Sequence, residues 1–204
     1  MPAPNLSVDW IEFDRQNKRL QSLIGSVSSL AITHQKLVAE IVMIRVFFLV
    51  ENTIQAVCAK ILCGATYLDL TSPRCLITAR SSRHAFDLMK NHGRTPPKRA
   101  LGWTQSQDIR ENLANTLDVT DPIFACVVAH AGLLTDMRYV RNHIAHKNDG
   151  SRRNFHMLIK KHYGGMKPGV TPGSLLLSAL VGPSVLLQHY LAASRVFVKL
   201  LVRA

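Results

Sequence analysis

The sequence predicts an all-α protein, a bundle of four main helices with an insertion of short helices and loops between the second and the third. Three observations carry this. Apolar residues recur at three- and four-residue spacing through four long stretches. No stretch alternates apolar and polar residues as a half-buried strand would. Two Pro- and Gly-bearing segments, NHGRTPPKRALG and GGMKPGVTPGS, read as the loops between the helical parts.

Residues 8–31 read as the first helix. Trp10, Phe13, Leu20, Leu23, Ile24, Val27 and Leu30 keep helical spacing, and Asp9, Glu12 and Asp14 sit in the first turn, where acids suit the helix dipole. Residues 34–63 read as a longer second helix running through Leu37, Ile41, Ile44, Phe48, Ile54, Val57 and Ile61 to a stop at Gly64. Its run IVMIRVFFLV is apolar nearly all round, which predicts the central, most buried helix. Ten residues interrupted by Arg45 are too short to span a membrane.

The insertion covers about 64–118, with short helices predicted at 79–91 and 104–117. A strong helix follows at 122–147, with Asp121 as N-cap and Pro122 in its first turn. Its stripe runs Val119, Ile123, Cys126, His130, Leu133, Met137, Val140, Ile144, and the segment KNDGSRRN is expected to end it. The last helix is placed at 183–202. The segment 174–194 has no charged residue over nearly the length of a membrane span, but Gly182-Pro183 breaks it and Ser, Gln and His dilute it, so no membrane span is expected. The whole chain reads as a single domain, 1–204.

Composition excludes several classes. Apolar residues at 47% and charged residues at 19% exclude a disordered chain. Four cysteines in 204 residues are no disulfide scaffold. The start, MPAPNLSVDWIEF, lacks a basic segment followed by an apolar one, so the expected setting is cytoplasmic. The net charge of +12 favours a polyanionic partner, nucleic acid before anionic membrane. That charge is uneven. Residues 1–71 are neutral, 72–103 carry seven bases against Asp87, and 122–204 carry eleven bases against Asp136 and Asp149.

Most motif searches fail. Cys58, Cys63, Cys75 and Cys126 form no C-x-x-C pair, His156 and His162 match no metal spacing, and HExxH is absent. There is no Gly-rich phosphate loop and no G-x-S-x-G elbow. Neither a metal nor a cofactor is expected. Glu40 and Glu51, eleven apart, share a face of the second helix and read as partners for Arg45 and for basic groups on neighbouring helices.

One constellation survives. RYVRNHIAHK, 138–147, packs two arginines, two histidines and an amide into the end of the strong helix, just before a basic loop. RNA cleavage needs a base for the 2′-OH proton, an acid for the leaving 5′-oxygen and fixed positive charge on the transition state. Histidine titrates near neutrality and serves the first two; arginine keeps its charge and its planar fork fits phosphate. His143 reads as a cation at the helix C-terminus. Arg138 reads either as a phosphate contact or as a salt-bridge partner of Glu51 or Asp136. Lys147, Arg152, Arg153, Lys160 and Lys161 read as an RNA-contacting rim, while Tyr139 and Tyr163 are candidates for stacking on bases.

The string R-N-x-x-A-H, Arg141 to His146, resembles the R-x4–6-H motif of the HEPN superfamily, particularly the RiboL-PSP-HEPN type of toxin–antitoxin and phage-defence systems. The order of two long helices, a variable middle, a motif helix, a basic loop and a final helix is similar over most of the chain. The resemblance implies a metal-independent endoribonuclease that works as a homodimer, with Arg141 and His146 as the catalytic pair and Asn142 orienting them. RNA, a second copy and an antitoxin or other defence protein are the implied partners. A non-catalytic RNA- or protein-binding module of the same fold is the alternative. The Glu-x3-Lys-Arg motif that some members carry in an earlier helix is absent here. At about 100° per residue, Arg141 and His146 lie about 140° apart around an ideal helix. They can share a site only if the helix ends or bulges, or if two copies meet across a two-fold axis.

Overall fold

The structure is a computed structural model that describes residues 4–179 and 184–203. The described chain is all-helical. Its elements are α1 (Leu6–Ser26), α2 (Ile32–Leu62), α3 (Ser82–Asn91), α4 (Ser106–Leu113), α5 (Pro122–Ala129), α6 (Ala131–His146), α7 (Asp149–Tyr163), α8 (Pro172–Leu176) and α9 (Leu186–Leu201). An isolated β bridge joins Cys75 to Leu117 inside the insertion.

α2 is the axis of the bundle, as its apolar composition predicts. It packs against α1, α3, α6, α8 and α9. Its buried side includes Val42, Met43, Val46, Phe47, Val50, Ile54 and Val57. In the first half of this helix the expected stripe lies on nearly the opposite face from the buried side: Leu37, Ile41 and Phe48 are 56%, 47% and 41% exposed. At about 100° per residue the two sets point roughly half a turn apart, and a helix apolar all round gives periodicity too little contrast to choose between them.

α1 closes on α2 and α9. Asn5 accepts from the Ser7 N–H at 2.8 Å and caps the helix. Phe13 is fully buried, and the buried Asn17 donates to the Leu191 carbonyl at 3.1 Å. Arg195 of α9 lies over Trp10 and pairs with Asp14. Leu23 and Leu30, expected in the stripe, are 41% and 45% exposed.

The insertion uses part of its own charge. Arg94 donates to the carbonyls of Met89 and Glu111, and Lys98 bonds Glu111 and Asn112 at 3.0 and 3.1 Å. Asp121 joins the insertion to the motif region. It is 1% exposed, accepts from Tyr67 Oη at 2.6 Å and from the Arg74 N–H at 2.8 Å, and caps α5 through the Ile123 N–H at 3.0 Å.

Three expectations are corrected downstream. The strong helix is not continuous: α5 and α6 bend by 54° at His130. The segment KNDGSRRN does not simply break the helix. Only Lys147 and Asn148 interrupt it, and α7 starts at Asp149 because the Asn148 side chain accepts from the Ser151 N–H at 2.8 Å. Val119 precedes α5 and is 76% exposed, so it belongs to no buried stripe. The Gly182-Pro183 break and the first residue of the last predicted helix lie outside the described residues. Among the described residues no single helix is long and apolar enough to cross a membrane; the bent pair α5–α6 meets the length and composition test only when its two halves are joined.

Candidate functional site

The rotation of α6 decides where the motif points. Leu134, Asp136, Met137 and Val140 are its buried residues. That seating turns Arg141 toward α2. The guanidinium carbon lies 5.2 Å from the Phe48 ring centroid and 5.6 Å from that of Phe47. Its Nη1 donates to Asn142 Oδ1 at 3.0 Å. The arginine is thus held on two sides, by aromatic faces from α2 and by the next residue of its own helix.

Glu51 lies in the positive field of Arg141 but forms no ion pair with it. Burial pushes its carboxyl above the usual carboxylate range, and Arg141 pulls the other way. Glu40, the other acid on this helix, is committed to structure: its Oε1 accepts from the Gly173 N–H at 2.9 Å and ties α8 to α2. Neither acid pairs with Arg45, which is exposed and lines an open groove of about 960 Å³ between α1 and α2, together with Arg19, Phe48 and Asn52.

His146 is the last residue of α6 and is exposed. Lys147 follows with φ 44°, ψ 24°, a left-handed turn that redirects the chain into α7. The turn comes one residue after the candidate histidine, so His146 keeps its helical position and its separation of about 140° from Arg141. No hydrogen bond joins Arg141 to His146, and five residues of helix separate them by about 7.5 Å of rise. Within one chain the structure brings Arg141 and Asn142 together and leaves His146 apart.

His143 is not a simple cap. Its ring stacks on Phe155 of α7, with centroids 4.5 Å apart and planes 7° from parallel. Burial, and the nearby His156, Arg152 and Lys147, lower its pKa from the ordinary value. A ring held neutral is a poor partner for the helix dipole.

The rim is partly spent. Lys147, Arg152, Arg153 and Lys160 are exposed, and Arg152 faces Asp149 at 3.6 Å. Lys161 instead pairs with Asp136 at 2.6 Å, in a cluster where His162 stands 3.8 Å from the same carboxylate and 3.5 Å from the Tyr190 hydroxyl. Asp136 is thus taken by α7, and Arg138, half-buried, makes no ion pair among the described residues with either acid proposed for it. Tyr163 hydrogen-bonds Ser178 at 2.7 Å and carries Lys167 over its ring, so it is packed rather than presented.

Sequence reasoning missed Phe47 and Phe48 as supports for Arg141. Their spacing from Glu51, four and three residues, places all three near one side of α2, and that signal was available. The cysteines offer no nucleophile. Burial pushes the thiols of Cys58, Cys75 and Cys126 up, the last two to about 11 and about 12. No family model matches the chain, and no match was found for it among curated proteins or among solved structures.

Proposed function

We propose that this chain is a HEPN-type, metal-independent endoribonuclease that works as a homodimer, as a toxin or an anti-phage defence effector. The observation that carries the reading is the held guanidinium of Arg141, fixed by Phe47, Phe48 and Asn142 on the helix that ends at an exposed His146. A fixed cation and a solvent-facing imidazole on one helix end, beside an exposed basic helix, are the parts that RNA transesterification needs.

In this mechanism the 2′-OH of the substrate attacks the adjacent phosphorus, and the bond to the 5′-oxygen breaks. A neutral His146 takes the 2′-OH proton. A protonated His146 from the second copy gives a proton to the leaving 5′-oxygen. Arg141 stabilises the added negative charge on the non-bridging oxygens. The products are a 2′,3′-cyclic phosphate and a free 5′-OH. Two copies supply two histidines around one cleft, which meets the requirement that a single chain leaves open. Exposed Ile41 and Phe48 supply apolar surface on the same helix that supports Arg141.

The test is direct. Purified protein is incubated with tRNA and mRNA in EDTA, and the product ends are analysed. Cleavage to cyclic phosphate is expected, with loss in Arg141→Ala and in His146→Ala. Absence of cleavage, or cleavage that survives both substitutions, sinks the catalytic reading.

The alternative is a non-catalytic module of the same fold that holds RNA or a protein. The separation of Arg141 and His146 within one chain favours it. In that case His146→Ala leaves RNA affinity and biological effect unchanged.

A further inference from the structure

The turn from α6 into α7 carries four basic side chains, and one of them, His143, is stacked on an aromatic ring. Phe155 is buried in the core and fixes the plane of the His143 imidazole by stacking. The Nδ1 of His143 is buried and makes no hydrogen bond among the described residues, whereas its Nε2 edge is not enclosed. A proton on Nδ1 would be stranded without an acceptor, so the neutral ring carries its proton on Nε2. The stack therefore presents a neutral, directional N–H donor toward solvent.

Fixed charge surrounds that donor. Arg152 and His156, four apart on α7, share a face, and Lys147 occupies the left-handed turn between the helices. All three add positive field at the His143 ring. Asp149 is the acid paired here, 3.6 Å from Arg152, with a side chain 84% exposed, so its screening by water is strong. Like charges clustered at one turn oppose each other, and an anion shared between them relieves that repulsion. The imidazole donor of His143, the permanent cations Arg152 and Lys147 and the second imidazole of His156 suit a phosphate group, with its several acceptor oxygens and one or two negative charges.

We infer that this turn is a phosphate seat. His143 Nε2–H, Arg152, His156 and Lys147 receive a backbone phosphate of RNA beside the nucleotide that meets His146. His143 stands three residues before His146, about 4.5 Å along the helix, so the seated phosphate neighbours the one being cut. The owner of the phosphate rests on the RNA-cleaving reading; the seat itself does not.

The experiment follows the histidine ring resonances of the full-length, isotope-labelled protein by long-range proton–nitrogen NMR. One arm adds inorganic phosphate to the wild type. A second adds a short single-stranded RNA to His146→Ala. Both probes are expected to shift the His143 Nε2 signal. Arg152→Ala, at an exposed side chain that leaves the fold intact, is expected to remove the shift and to weaken RNA binding about 3- to 10-fold, while Arg153→Ala leaves the His143 shift in place. If neither probe moves His143, the seat is wrong, even should the wild type cut RNA. If phosphate moves it and RNA does not, the assignment to an RNA phosphate is overturned. If RNA moves it but the wild type cuts nothing, the seat stands and the catalytic reading falls.

Discussion

The guanidinium of Arg141 lies 5.2 Å from the ring centroid of Phe48, a residue ninety-three positions earlier in the chain and 41% exposed. The contact ties the motif helix to the central helix at the one place where α2 shows an aromatic face to solvent. It makes the position of the proposed transition-state cation depend on α2. Phe48→Leu keeps the apolar volume but removes the ring. It is expected to lower kcat/KM for RNA roughly 5-fold, the equivalent of about 1 kcal/mol of cation–π support. Arg141→Lys keeps the charge and loses the planar fork, and a drop of about 100-fold or more is expected. Initial rates on a fluorogenic RNA decide it; a wild-type rate for Phe48→Leu would show that the stack does not position Arg141.

The exposed apolar side of α2 predicts self-association. Ile41 is 47% exposed and lines the groove between α1 and α2 with Phe48. A charge placed there should not disturb the monomer's core, but it would be costly inside an interface. Ile41→Glu is expected to shift sedimentation from dimer to monomer and to abolish cleavage together. A wild-type protein that sediments as a monomer at micromolar concentration refutes the shared cleft.

Two histidines predict a fold that loses stability in acid. Burial lowers the pKa of His143, with His156, Arg152 and Lys147 adding to the effect. Burial also lowers that of His162, where Asp136 opposes the shift and Lys161 and His189 reinforce it. A folded-state pKa below the ordinary 6.5 means that the unfolded chain binds more protons in the window between the two values. The stabilising effect is full above about pH 6.5 and is lost as the pH falls through the folded values. Glu12, Asp14, Glu111 and Asp118 are held below their ordinary ranges, so their contributions disappear only under more acidic conditions. Glu51 titrates in the opposite sense, so the histidine contribution is read from a variant. The thermal midpoint is expected to fall between pH 7.5 and pH 5, and to fall less in His162→Gln. Equal pH dependence in the two proteins counts against this account.

Gly173 brings the backbone of α8 close against α2. A Cβ at this position would stand 2.7 Å from the Lys36 carbonyl oxygen and 2.7 Å from the Lys36 Cβ, and the first of these is backbone that cannot step aside. Its N–H also feeds Glu40. Gly173→Ala is expected to destabilise the protein by about 1–3 kcal/mol, as overpacking does. Chemical denaturation measures the effect, and a midpoint equal to wild type would mean that α8 relaxes freely.

What the sequence determined by itself was set by local chemistry. Helical periodicity, Asp121 before Pro122 and the absence of alternation were enough for an all-α chain with its central helix at 34–63 and an irregular middle. Within the site, residue types alone picked out RNHIAH. The whole of α7, read from the sequence as a break and a basic loop, is missed because Asn, Asp, Gly and Ser start a helix as readily as they end one. Phe155, Leu158 and Ile159, at helical spacing, were the signal that should have tipped the balance.

Tertiary structure decided the rest. The bend at His130 lies in a stripe whose periodicity runs straight through it. It is stabilised by a contact between His130 Nδ1 and the Cys126 carbonyl at 2.9 Å and by the Phe197 ring, 5.0 Å away on α9. The same holds for the buried side of α2, for the pairing of the exposed Lys161 with Asp136, and for His143 lying on Phe155. Each depends on which distant surface a side chain meets, and a helix whose apolar or basic residues nearly encircle it carries no local preference that could make that choice.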